Sequence, residues 1–371
     1  MDTVAILRTL VAFDTTSHRS NLDLVHWMAA HLDGHGAKVR LIHSDDGAKA
    51  NLFATVGPDA AGGVVLSGHT DVVPVADQVW GSDPFALVER DGRLTGRGTA
   101  DMKGFIAACL AAVPHWRQLD LRRPIHLAFS YDEEIGCLGV PRLIADLQAH
   151  ARSPALAIIG EPTEMRIGLA HRGFYGHRTT FRGRSAHSSD PASGVSAIEP
   201  ATRLVAALAR FGRALSTRGD RTTVNVGCIR GGSAINIVPG CCEVLWEFRP
   251  TDEASAAAVK AEVDRLLAVL SPGVDIEMAQ IAGVPALAAQ ADGAAVAMAR
   301  TCGARWPPGE LAFGTEAGFF AQAGIPSLVC GPGSIAQAHQ PDEWIAASEL
   351  GAADRFLAGI GAWAAAAAVP G

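Results

Sequence analysis

The chain has 371 residues, 49% hydrophobic and 19% charged, enough for two or three domains around a large core and unlike a tail or a filament. Its 31 Lys and Arg are scattered against 38 Asp and Glu, for a formal charge of −7, which argues against a nucleic-acid partner. Seven cysteines without CxxC spacing argue against a disulfide framework or a structural zinc knuckle.

The N-terminus, Met1-Asp2-Thr3-Val4, has no basic region ahead of an apolar stretch, and no uninterrupted apolar window long enough to span a membrane occurs. The expectation is a cytoplasmic protein with no membrane association. Residues 3–35 read as two helices, with apolar positions at Val4, Leu7, Leu10 and Val11, then at Leu22, Val25, Met28, Ala29 and Leu32. The turn-rich "DTTSHRSN" separates them.

A short apolar strand at 63–67 runs into "SGHTDVVPV". Side chains two apart on an extended chain share a face, so His69 and Asp71 point the same way, a geometry for one imidazole held by one carboxylate. A satisfied core histidine beside a turn aspartate is the competing reading. In "GRGTADMKG", Asp101 stands at the entry to a helix over 102–116, where it reads either as a site carboxylate or as a helix N-cap. The strand at 125–131 leads into "FSYDEEIGC" with Glu133 and Glu134, of which Glu134 also reads as a solvated acid. A helix over 140–149 follows, and the strand at 155–160 runs into Glu161 through "AIIGEPT".

From about 173 to 285 the texture changes. "FYGHRTTFRG", "TTVNVGCIRGG" and "CCEVLWEFRP" read as strands, and 196–215 and 254–270 as amphipathic helices, together a separate α+β insert. Cys241 and Cys242 fall on alternate faces of a strand. The strand–helix alternation then resumes with a strand at 326–330, "GPGSIAQAHQPDEW" carrying His339, and a frayed helical tail, "AWAAAAAVPG". The fold class is α/β: a mostly parallel, helix-covered sheet built from 1–172 and 286–371, with the insert at 173–285.

In open α/β sheets, ligand sites gather beyond the carboxyl ends of the strands. His69, Asp71, Asp101, Glu133, Glu134, Glu161 and His339 all fall in such loops and are expected to meet in one cleft. Several carboxylates in one cleft repel one another and resist desolvation, so a cation is the simplest compensation. Imidazole nitrogen with carboxylate oxygen suits Zn²⁺ or a similar first-row ion, and the surplus of carboxylates suits two ions sharing a bridging ligand.

The ordered set "SGHTDVVP", "GRGTADMKGF", "DEEIGCLG", "IIGEPT", "RSAHSSDPASGVSAIE" and "GTEAGFF" before "GPGSIAQAHQPDEW" resembles the zinc-dependent aminoacylase and carboxypeptidase family over nearly the whole chain. The resemblance implies two Zn²⁺ ions, replaceable by Co²⁺, with Asp101 bridging them. His69 and Glu161 would complete one ion's ligands, and Glu134 and His339 the other's. It makes Asp71 the residue that orients His69, Glu133 the general base, and the peptide bond after Asp101 cis.

The same resemblance makes the insert a lid and dimerisation domain and the protein a homodimer in which His187 reaches the partner's active site; a plain surface-loop histidine is the alternative. Asn236 and Arg249 would contact substrate, Arg249 gripping a carboxylate in bidentate fashion unless it is an ion pair within the insert's sheet. Thr315 and the backbone around Gly333 complete the expected substrate contacts, and Thr315 and Glu316 in "GTEAG" set the chain apart from desuccinylases with a "TSDAR"-like pattern. The implied reaction is hydrolysis of a small N-acyl amino acid, N²-acetyl-L-ornithine ahead of acetylcitrulline, succinyl-diaminopimelate or a dipeptide. A non-catalytic binding protein on the same scaffold is disfavoured because Glu133 and all five ligands are present.

Overall fold

Runs of aliphatic residues assemble into an eight-stranded sheet in the computed structural model, which describes residues 1–270, 273–289 and 293–366. The last five residues of the alanine-rich tail lie outside that description. The chain divides into two units. One comprises Met1–Ala170, Ala289–Leu311 and Thr315 onward, and the other His171–Ala288 with Ala312–Gly314.

In the first unit the central strands Ile125–Ser130, Val64–His69, Leu156–Pro162 and Ser327–Gly331 run parallel. Ala50–Val56 and Lys38–His43 extend one side antiparallel, and Arg166–His171 and Arg305–Leu311 lie on the other side. The central strands are buried along their whole length, as strands covered on both faces must be. Leu66, Leu127, Ile158 and Leu328 pack into one large core with the helices Thr3–Val11, Leu22–Gly34, Gly104–Trp116 and Ala347–Ala365. Their strand neighbours Val65, Ala128, Ile159 and Val329 are equally buried but point to the opposite face, the period-2 consequence of the pleat. The helices Val140–His150 and Ala317–Gln322 pack against the strands there. The α/β class expected from the sequence is the class observed.

The second unit is a four-stranded antiparallel sheet in the order Thr223–Gly231, Cys241–Arg249, Phe174–Arg182, Asp275–Val284. On the strand Cys241–Arg249 every second residue, Cys242, Val244, Trp246 and Phe248, is buried, and these pack with residues of the helices Ile198–Thr217 and Glu253–Leu270. Cys241 is exposed and Cys242 buried, and all seven cysteines are free thiols. No helix among the described residues is long and apolar enough to cross a membrane.

Candidate metal centre

Three adjacent parallel strands of the first unit end at one level. His69 pairs in register with Ser130 and Ser67 with Ile159, so His69, the turn carrying Glu133 and Glu134, and Glu161 emerge together at the carboxyl edge of the sheet. Asp101 arrives from a wide helical turn over Thr99–Lys103, in which Asp101 and Met102 leave helical geometry and the peptide bond between them is cis. Its carboxylate therefore does not cap the following helix, whose N-cap position is Lys103. It faces two histidines instead.

His69 Nε2 lies 3.0 Å from Asp101 Oδ1 and 3.7 Å from Glu161 Oε1, while His339 Nε2 lies 3.3 Å from Asp101 Oδ2 and 3.1 Å from Glu134 Oε2. Two trios result, His69–Asp101–Glu161 and Asp101–Glu134–His339, the prospective ligand atoms of each lying within 4.8 Å of one another. Asp101 belongs to both, one oxygen toward each. Glu134 is not a solvated acid: its side chain is only 7% exposed.

His69 Nδ1 sits 2.9 Å from the backbone carbonyl of Asp71. A carbonyl only accepts, so Nδ1 carries a proton, and Nε2 is the nitrogen aimed at Asp101. The Asp71 carboxylate, 3.6 Å from Nδ1, is occupied elsewhere: it accepts from the backbone N–H of Glu133 (3.1 Å) and Glu134 (3.3 Å) and from Ser17 Oγ (2.7 Å). Asp132, at φ +57°, is held by Lys49, which also donates to the Ser17 carbonyl. One aspartate thus ties the histidine's loop to the turn bearing both glutamates.

With no cation, the cluster divides its charge awkwardly. Burial, helped by Glu134, Glu316 and Asp101, pushes the Glu133 carboxyl well up, and burial with Asp101 does the same to Glu161. Glu134 is raised by burial and Asp101. Burial opposes charge on both His69 and Asp101, but their pairing prevails, holding the imidazole high and the carboxylate low. Hydrogen bonds to Asp101 and Glu134 push His339 up to about 10. The buried oxygens Glu134 Oε1 and Glu161 Oε1 have no hydrogen-bond partner among the described residues. Imidazole nitrogens and carboxylate oxygens brought together, with two of those buried oxygens left without a partner, are the signature of a cation site, and two ions of mixed nitrogen and oxygen preference fit this donor set.

The remaining expected residues are placed differently. Thr315 is fully buried, its Oγ1 accepting from Ala317 N at 3.1 Å at the start of the helix Ala317–Gln322. Glu316 is buried beneath the strand ends, accepting from Ser67 and Ser130, and burial raises its carboxyl to about 7. Gly333 adopts φ +84° beside Ala100, whose Cβ would lie 3.3 Å from any side chain placed there. His187, Asn236 and Arg249 belong to the second unit. His187 is exposed, with Nδ1 2.7 Å from Ser189 Oγ, and Asn236 is exposed, its carbonyl accepting from Ser188 N. Arg249 makes the ion pair within the insert's sheet, Nε to Glu247 Oε1 at 3.1 Å, and stacks over Phe174.

Sequence reasoning missed the supports: Ser17, Lys49, Arg97 and Glu343.

A family profile described as Peptidase family M20/M25/M40 matches residues 65–363. The chain is 34% identical to an acetylornithine deacetylase from Pasteurella multocida (strain Pm70), covering 91% of this chain and 90% of that one. An acetylornithine deacetylase from Myxococcus xanthus is 34% identical, with 95% of each chain covered. Among solved structures, a dinuclear metal binding peptidase of the M20 family from Bacillus subtilis superposes with a TM-score of 0.71 at 15% identity, over 97% of this chain and 96% of that one.

Proposed function

The chain belongs to peptidase family M20/M25/M40, and we propose that it hydrolyses the amide of a small N-acyl amino acid at a two-metal centre, converting N²-acetyl-L-ornithine and water to L-ornithine and acetate. The observation that carries this reading is Asp101, one carboxylate shared by two histidine-containing ligand trios. The identity to acetylornithine deacetylases over most of the chain supports the substrate.

In this reading His69, Asp101 and Glu161 hold one ion and Asp101, Glu134 and His339 the other. The donors suit zinc, with cobalt as a substitute. Such ions, when bound, supply Lewis acidity that polarises the amide carbonyl and acidifies a water.

The chain's own residues do the rest. Glu133, turned from its neighbour Glu134, accepts the water's proton as general base and returns it to the leaving amine. Asp71 fixes Glu133 through its backbone N–H and orients His69 through its own carbonyl. Asn236, Arg249, Thr315 and the backbone at Gly333 are the proposed substrate contacts, with Arg249 suited to an α-carboxylate once it leaves Glu247. His187 is the proposed donor to the developing oxyanion, supplied across a homodimer in which each site completes the other. The enzyme would act in the cytoplasm, supplying ornithine for arginine biosynthesis.

Acetate release from N²-acetyl-L-ornithine, measured with and without a chelator, tests this. Acetate formation abolished by the chelator and restored by Zn²⁺ or Co²⁺ is the expected result. A preference for acetylcitrulline, succinyl-diaminopimelate or dipeptides would move the substrate within the family, and chelator-insensitive turnover would contradict the metal mechanism.

A further inference from the structure

We propose that Glu343 is a positioning residue of the metal centre: with Arg97 and Gln78 it clamps together the two loops that deliver Asp101 and His339. The inference rests on the reading of those two residues as metal ligands.

Glu343 is 1% exposed and lies four residues after His339. Its Oε1 accepts from the backbone N–H of Ala100 (2.9 Å) and Asp101 (3.0 Å), and its Oε2 from Gly98 N (3.0 Å) and Arg97 Nη1 (2.9 Å). Its own carbonyl accepts from Gly96 N at 2.8 Å. The first N–H groups of a helical turn have no acceptor within it, so the amides at the start of this one need an acceptor from elsewhere, and one carboxylate serves those of Gly98, Ala100 and Asp101. A charged acceptor makes stronger bonds than a neutral one, so the backbone of the shared ligand is held by a buried ion rather than by packing.

The same device holds the second loop. Arg97 is also 1% exposed, and it reaches the Gln340 carbonyl at 3.3 Å through Nη1 and Gln78 Oε1 at 2.6 Å through Nη2. Gln78 Nε2 in turn donates to the His339 carbonyl at 2.9 Å. His339 has an imidazole 54% exposed and a backbone at φ +64°, a conformation a side-chain-bearing residue keeps only when its surroundings impose it. Little packing holds that ring. Its place follows from the tethered carbonyls on either side of the Gln340 amide.

The clamp thus assigns different consequences to its parts. Glu343 acts on Asp101, which serves both ions, whereas Gln78 acts on His339, which serves one. Metal-free protein titrated with Zn²⁺ in competition with a chromophoric chelator separates them, with circular dichroism as the check on folding. Glu343→Gln places an NH₂ group against a backbone N–H and is expected to weaken both ions about 10- to 100-fold. Gln78→Ala, at a half-buried side chain, is expected to weaken one ion by about tenfold and leave the other at wild-type affinity. Excess Zn²⁺ should return its kcat to near the wild-type value, which general damage to the fold would not allow.

Should Glu343→Gln fail to fold, Gln78→Ala decides alone. Two ions bound by the wild type with unchanged affinity in folded variants would overturn the clamp and leave the metal-centre reading intact. Fewer than two ions on the wild type would overturn both.

Discussion

Glu133 and Glu134 are chemically identical neighbours that the fold puts to different uses. Glu134 turns toward His339 at 3.1 Å, while Glu133 makes its close side-chain contact with Cys137 Sγ at 3.6 Å. The two backbone N–H groups share one acceptor, the Asp71 carboxylate, so the turn is fixed before either side chain acts. Glu133→Gln keeps the size and the backbone anchoring but removes the base. It should retain two bound ions while kcat falls by about two orders of magnitude or more. Near-normal kcat in a metal-replete variant would remove Glu133 from the mechanism. Period-2 spacing pointed to an imidazole held by the Asp71 carboxylate, but the Asp71 backbone carbonyl holds it and the carboxylate is engaged elsewhere. Which atom of Asp71 holds the imidazole was not legible, since the choice between carbonyl and carboxylate depends on amides 62 and 63 residues away. Glu343 was illegible for the same reason: its carboxylate's partners are, Arg97 apart, backbone groups, which carry no sequence signature.

At the scale of elements, the readable strands of the large sheet were the four at its centre, where burial on both faces demands continuous apolar runs. Flanking strands such as "KVRLIH" and "RWPPGEL" are partly exposed, so polar residues and prolines interrupt their pattern and hide them. The site depends on the central strands ending at the correct height, and Gly160, immediately before Glu161, shows how tightly that is set. A Cβ there would lie 2.0 Å from Phe105 Cδ1, and Phe105 is itself 1% exposed in the core beneath. Gly160→Ala should therefore destabilise the protein by about 1–3 kcal/mol and displace Glu161, read as a lower denaturation midpoint together with weaker binding of one metal ion. Unchanged stability and unchanged metal affinity would show that the close approach is easily relaxed.

On the scale of the whole molecule, the metal trios belong to one unit and His187, Asn236 and Arg249 to the other, so the proposed oxyanion donor is not supplied by the unit that holds the ions. If His187 acts from a partner chain, mixing inactive His187→Ala with inactive Glu133→Gln protein should regenerate activity, because one site of the mixed dimer keeps both residues. Confirmed mixed dimers without activity would exclude action across the subunits. The insert was read from the change between apolar strand runs and amphipathic helices with alternating strands; contacts across chains leave no such trace in one sequence. Both trios, and with them the proposed chemistry, converge on a single carboxylate, so the most direct measurement is the metal stoichiometry of Asp101→Ala against the wild type. Two divalent ions on the wild type and loss of affinity at both sites in Asp101→Ala is the predicted result. One ion lost with the other bound at full strength would contradict the shared role of Asp101.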